Sequence, residues 1–180
     1  LETLLWKNFN EVGVPTYTKE EEEYAKAIIS SYEMTNDDLP GDACDESEEI
    51  AAWVDKVSQH ATIPLNNFLI PYHFSTRQRM GSTDVGDVSW LVPTAQINVV
   101  TFPSKAPGHS WQNVSCGKTS IGHKGLLTAG KVLAATAIEL FENPRYLEQA
   151  KEEFEKRAAG GYYCPVPDDA VPTVVGGKMD

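Results

Sequence analysis

Cysteine is scarce in this sequence, and so is positive charge. The three cysteines, Cys44, Cys116 and Cys164, stand far apart. They supply neither a disulfide framework nor a CxxC zinc knuckle, and a reducing, cytoplasmic setting is the simplest expectation. Against 26 acidic residues there are 15 Lys and Arg, a formal net charge of -11 over 180 residues. That charge repels phosphate backbones and anionic lipid, which argues against nucleic acid and membrane surfaces as partners. No apolar run approaches the roughly 20 residues that cross a bilayer, and no basic stretch followed by an apolar one opens the chain, so no signal peptide is visible. HExxH and GxSxG are both missing, which removes the zincin helix and the hydrolase nucleophile elbow. There is no internal repeat. The first residues already read as a helix, with no initiator Met, so the expectation is a part of a longer chain.

What is present suits a globular domain or part of one: 41% hydrophobic and 23% charged residues. Leu1, Leu5, Phe9 and Val12 share one face of a first helix, which Gly13 can end in a left-handed conformation. Thr18 and Glu21 form a capping box for a second helix with Tyr24, Ile28 and Tyr32 on its stripe. Residues 35–49 read as an acidic loop without EF-hand spacing. Glu48 to Ser58 is helical in pattern, and residues 61–80 are irregular or edge strand around Pro64 and Pro71. Gln96 to Phe102 is rich in β-branched residues and is the best strand candidate. Ile121 to Phe141 predicts a long helix with Leu126, Ala129, Leu133, Ala137 and Leu140 as its core stripe, and Lys124, Thr128, Lys131 and Glu139 on the wetter side. Asn143 and Pro144 start a last helix, which Gly160-Gly161 stops. Helices outnumber strands, and the one good strand lies between helical segments. This order suggests α/β layering.

Three stretches carry the residue types of a site. Gly81 to Trp90 (GSTDVGDVSW) combines a flexible glycine, two hydroxyls and a carboxylate at the start of a helix, where free N–H groups and a positive dipole end are on offer. Ser82, Thr83 and Asp84 either contact a substrate carboxylate or orient a metal ligand, or Ser82 or Thr83 simply caps a helix. His109, in Pro107-Gly108-His109-Ser110, sits in a loop after the strand, where a neutral imidazole can donate to zinc or lie at the surface. His123 reads as a packing or capping-region residue. Cys116, with His109 and His123 near it in sequence, permits a Cys–His pair whose geometry nothing sets. Arg77, Arg79, Lys118 and Lys124 are cations able to meet a carboxylate, or ordinary surface charges.

Taken together, GSTDVGDVSW, VPTAQINVVTF, APGHSWQ and SIGHKGLLTAGKVLAATAIELF, in this order, resemble the metal-dependent amidohydrolases related to aminoacylases and carboxypeptidase-like peptidases, in their aminobenzoyl-glutamate utilization branch. The opening LLWKNFNEVGVPTYTKEEEEYAKAI resembles the segment that follows this family's inserted lid, so the resemblance covers nearly all of 1–180. It implies the C-terminal part of a three-layer α/β catalytic domain, a mixed sheet flanked by helices and incomplete alone. It implies amide hydrolysis of an aminobenzoyl-glutamate or similar N-acyl amino acid by a metal-activated water, with two divalent ions, zinc or manganese. It also implies a homodimer formed through the lid. By the same resemblance His109 is the last metal ligand, and Ser82, Thr83 and Asp84 are substrate-contacting or ligand-orienting residues. No catalytic base is carried over: the general-base Glu and the other ligands belong to the N-terminal part, without which the segment is expected to be inactive. The alternative is a non-catalytic binding or assembly module that kept the fold.

Overall fold

The computed structural model of the chain describes residues 1–32, 48–59, 64–74, 83–103 and 106–171. The described residues form seven helices: α1 (Glu2–Val12), α2 (Lys19–Ile29), α3 (Glu48–Gln59), α4 (Val85–Ser89), α5 (Trp111–Cys116), α6 (Ser120–Glu142) and α7 (Pro144–Arg157). Local chemistry explains most of their ends. Gly13 takes φ 78° just past α1 and its N–H reaches the Phe9 carbonyl. That positive φ costs glycine nothing, although ψ of 179° makes it an extended stop and not a left-handed helical one. The capping box before α2 is complete: Glu21 N–H donates to Thr18 Oγ1, and Thr18 N–H donates to Glu21 Oε2. Thr119 caps α6 through its hydroxyl. Pro144 occupies the first turn of α7, while the side chain of Asn143 makes no capping bond.

No β-strand occurs among the described residues. This overturns the α/β expectation, and with it the mixed sheet and three-layer architecture, for this chain. The reason lies in what a strand requires. β-branched residues favour extended backbone, but a strand exists only when a neighbouring segment offers matching N–H and C=O groups. Among the described residues Gln96 to Phe102 finds no such neighbour, and it is irregular chain whose Val100 and Thr101 meet α6 at Gly125.

The helix α6 organises the packing. It lies against α1 and α7, and Lys7 of α1 reaches Glu139 at 2.6 Å. The segment at Val100–Thr101 crosses so close to Gly125 that a Cβ there would overlap the Val100 carbonyl oxygen and lie 2.7 Å from Thr101 Cγ2. One small core joins Ala25, Leu65 and Ile121, with Tyr17, Tyr24 and Val100 around it. A second joins Ile50 and Val54 of α3, with Trp53 and Ile70. Trp53 meets Phe68 edge-on at 5.8 Å, and Trp6 Nε1 donates to the Ile70 carbonyl at 3.1 Å, tying α1 to this segment.

The predicted stripe of the long helix is turned around. The buried positions of α6 are Ile121, Gly122, Gly125, Val132 and Thr136, whereas Leu126 is 69% and Leu133 50% exposed. Ala129 and Leu140 are half-buried, and so are Thr128 and Glu139 from the side expected to be wetter. A face carrying Gly125 lets a backbone approach more closely than one carrying leucines can, and in this chain the close approach occupies it.

Candidate functional site

The stretch around Asp84 forms a helix, as its residue types suggest, but a short one. Thr83 Oγ1 accepts from Val85 N–H at 3.3 Å, a local hydroxyl–backbone turn one residue ahead of the N-cap position. Asp84 occupies the N-cap position with helical backbone angles and makes no capping bond; both Thr83 and Asp84 are exposed. Ser82 lies outside the described residues, as do Arg77 and Arg79. The far end of the stretch is tied down from the tail: the Tyr162 hydroxyl donates to Asp87 Oδ1 at 2.6 Å, and the Tyr162 ring stacks on Trp90 with centroids 6.1 Å apart. The bond to Asp87 pushes the Tyr162 phenol well above its usual range. Nothing in the order of residues announces this pairing across 75 positions.

His109 sits in the turn between the Val100–Pro103 segment and α5. Its φ of 54° makes it the one described non-glycine residue with positive φ. Histidine tolerates this region better than most residues, yet the conformation costs something and is held by its surroundings. The next residue does the holding: Ser110 Oγ accepts from Asn113 N–H to cap α5 and donates to the Pro107 carbonyl at 2.5 Å. α5 is anchored in turn, since the Tyr24 hydroxyl donates to Ser115 Oγ at 3.2 Å and Gln112 Nε2 to Ser31 Oγ at 3.4 Å. The imidazole of His109 itself is exposed. No hydrogen bond or ion pair among the described residues joins it to Thr83 or Asp84.

A cavity of about 420 Å³ does touch the Asp84 stretch, through Ser89 and Trp90. Its other walls include Tyr72, Phe74, Phe154 and Arg157, and His109 is not among them. Arg157 stands 5.8 Å over the Phe74 ring and is paired with Glu153 at 2.6 Å.

A metal centre needs several donors converging on one point, three or more from protein in catalytic zinc sites. Among the described residues no three His, Cys, Asp or Glu side chains gather closely enough to hold an ion. The donor set of the described residues therefore does not fit a catalytic ion, and His109 contributes a single nitrogen at most. Cys116 is fully buried and its thiol donates to the Gln112 carbonyl. Burial pushes that thiol above its ordinary range, which is the environment of an inert structural cysteine and removes the Cys–His pair. Lys124, a candidate for a substrate carboxylate, is instead engaged internally: its ammonium meets Glu21 at 2.6 Å and the Thr16 carbonyl at 2.8 Å. Lys118 and His123 are exposed.

Comparison with known proteins gives one informative likeness. The chain is 34% identical over 178 residues to a p-aminobenzoyl-glutamate hydrolase subunit of Escherichia coli (strain K12). The alignment takes in 96% of this chain but 36% of that protein, so the chain spans about a third of the length of the curated relative it matches. The resemblance read from the sequence motifs is thus borne out along nearly the whole chain. No family model and no solved structure matches it.

Proposed function

We propose that this chain is one segment of a hydrolase that cleaves the amide bond of aminobenzoyl-glutamate or a similar N-acyl amino acid. The observation that carries the proposal is the 34% identity, sustained over 178 residues, to a protein named as part of a hydrolase for that substrate. In this reading the chain supplies a scaffold of helices and a few site-edge residues. His109, pinned in its strained turn by Ser110, is one donor to a divalent ion, zinc or manganese. Ser82, Thr83 and Asp84 border the substrate. The remaining ligands and the general base come from polypeptide outside the described residues, because one imidazole cannot hold a catalytic ion. The segment alone is therefore inactive. The full enzyme works with a protein partner, a lid-mediated second copy being the arrangement that the family resemblance implies.

The test uses the full-length protein that contains this chain. Hydrolysis of p-aminobenzoyl-glutamate is followed with and without chelator, and after return of zinc or manganese. His109→Ala is expected to lower kcat/KM by more than about 100-fold, since losing a group that merely supports a metal ligand already costs about 10–100-fold. Unchanged activity after His109→Ala removes this residue from the site. A full-length protein that never cleaves the substrate leaves the non-catalytic assembly module as the better reading.

A further inference from the structure

The helix α4 has little of its own to hold it. It is five residues long, and none of them is buried. A single turn of helix is marginal in water, and no core packing supports it. Ser89 and Trp90 line the cavity of about 420 Å³ together with Phe154 and Arg157 of α7, so that side of the stretch faces open space and not a packed layer. Among the described residues, one hydrogen bond joins residues 83–92 to a distant part of the chain: the Tyr162 hydroxyl donates to Asp87 Oδ1 at 2.6 Å. The same side chain lays its ring on Trp90, with centroids 6.1 Å apart and planes 27° from parallel. Asp87 and Trp90 are three positions apart, which puts both on one face of the helical turn. One tyrosine thus holds α4 at two points. The turn after α7 aims it there. Gly161 has φ 76° and its N–H donates to the Ala158 carbonyl at 2.9 Å, a backbone that a residue with a Cβ adopts only under strain.

We propose that Tyr162 is a positioning residue for the Thr83–Asp84 edge, acting on substrate binding through Asp87 and Trp90 without touching substrate itself. The inference rests on the reading of Thr83 and Asp84 as bordering the substrate. Both are exposed, and both move with α4: the Thr83 and Asp84 carbonyls accept from the N–H groups of Gly86 and Val88, and Thr83 Oγ1 accepts from Val85 N–H. Their placement is therefore only as fixed as the helix that Tyr162 holds. With the tie in place the edge is ordered before substrate arrives. Without it the ordering falls on the binding step and weakens affinity. Loss of the tie belongs in KM and not in kcat, since Tyr162 contributes nothing to the chemical step.

The experiment uses the full-length protein that contains this chain. It reads amide hydrogen exchange in peptides spanning 85–92, and the kinetics of p-aminobenzoyl-glutamate hydrolysis. Tyr162→Phe keeps a ring on Trp90 and removes the hydroxyl. It should speed exchange by about 10-fold and raise KM by about 10-fold, the low end for a hydrogen bond to a carboxylate because the pair is exposed. kcat should stay within about twofold. Asp87→Ala should match Tyr162→Phe, and the double variant should be no worse than either. Asp87→Asn keeps an acceptor oxygen and should lie nearer the parent than Asp87→Ala. Tyr163→Phe, on the exposed neighbouring side chain, should change nothing. A tyrosine that served stability alone would lower the melting temperature and the active fraction and leave KM where it was. The inference is overturned if exchange at 85–92 in Tyr162→Phe keeps the parent rate, if the effects of Asp87→Ala and Tyr162→Phe add, or if KM is unchanged while exchange rises. The enzymatic reading fails separately: a parent protein that never cleaves the substrate ends that reading and the role of Tyr162 in binding with it, while faster exchange in Tyr162→Phe still establishes the tie.

Discussion

At the scale of single residues, the most constrained group is Glu21. Its side chain is buried against α6, where it accepts from the Thr18 backbone, from Ser120 Oγ at 2.5 Å and from Lys124 at 2.6 Å. Burial pushes the carboxyl up, but the bonds from Lys124, Ser120 and Thr18 outweigh it, and the group sits below its ordinary range. Tyr17 lies under the same ammonium, 5.7 Å from ring centre to Nζ, and burial beside Glu21 pushes its phenol up to about 12. A carboxyl that is a stronger acid when folded stabilises the fold wherever it is ionised. That contribution is present above the unfolded value of 4.5 and is lost as pH falls through the lower folded value. Glu21→Gln should therefore cost about 1.5 kcal/mol near neutral pH, a figure trimmed for the third of Lys124 open to solvent. The gap between parent and variant in urea unfolding should close as the pH is taken below the carboxyl range. A gap that stays constant down to that pH would mean the charge of Glu21 plays no part.

At the scale of elements, the contact between the Val100–Thr101 segment and α6 depends on the absence of one methyl group. In Gly125→Ala the usual helix-propensity gain of about 1 kcal/mol competes with overlap on a backbone carbonyl that no rotamer change can relieve. Overpacking of this kind costs about 1–3 kcal/mol or more, so the net change should be destabilising. Gly130→Ala, in the same helix with open space around it, should instead stabilise the isolated chain by about 0.5–1 kcal/mol. Thermal melts of the two variants should move in opposite directions. The helices themselves are legible in the sequence because their signals are local: the Thr18–Glu21 box, Gly13 and Pro144 each act within one turn. Gln96 to Phe102 reads as a strand and is not one, because β-branched composition reports a preference, while a strand is a relation to a second segment. The stripe of α6 departs from its pattern in a more informative way. Periodicity finds the face with the large aliphatic side chains, but it cannot tell that this chain's own segments pack on the side bearing Gly125 instead. The site is legible in part. Residue types pick out Thr83, Asp84 and His109 as candidates, but the Tyr162–Asp87 bond and the Lys124–Glu21 pair join residues 75 and 103 positions apart, and no local pattern encodes either.

At the scale of the whole molecule, the two small cores and the bare face of α6 have a joint consequence for cooperativity. Among the described residues the largest fully buried side chains are few, Leu65, Ile121, Val54 and Val132 among them, and they are divided between the α2–α6 region and other contacts, with Ile50 and Val54 forming a cluster of their own. The dependence of stability on denaturant scales with the surface buried on folding, and a chain with so little of its apolar area withdrawn from water has little to expose when it unfolds. Urea unfolding of this chain alone should be shallow, with a slope below about 1.5 kcal/mol/M against the range of about 1–3 for small proteins. The dye ANS, which reports exposed apolar surface, should bind before unfolding begins. A steep single transition with no dye bound would mean that the divided cores and the exposed leucines of α6 do not describe the chain in solution.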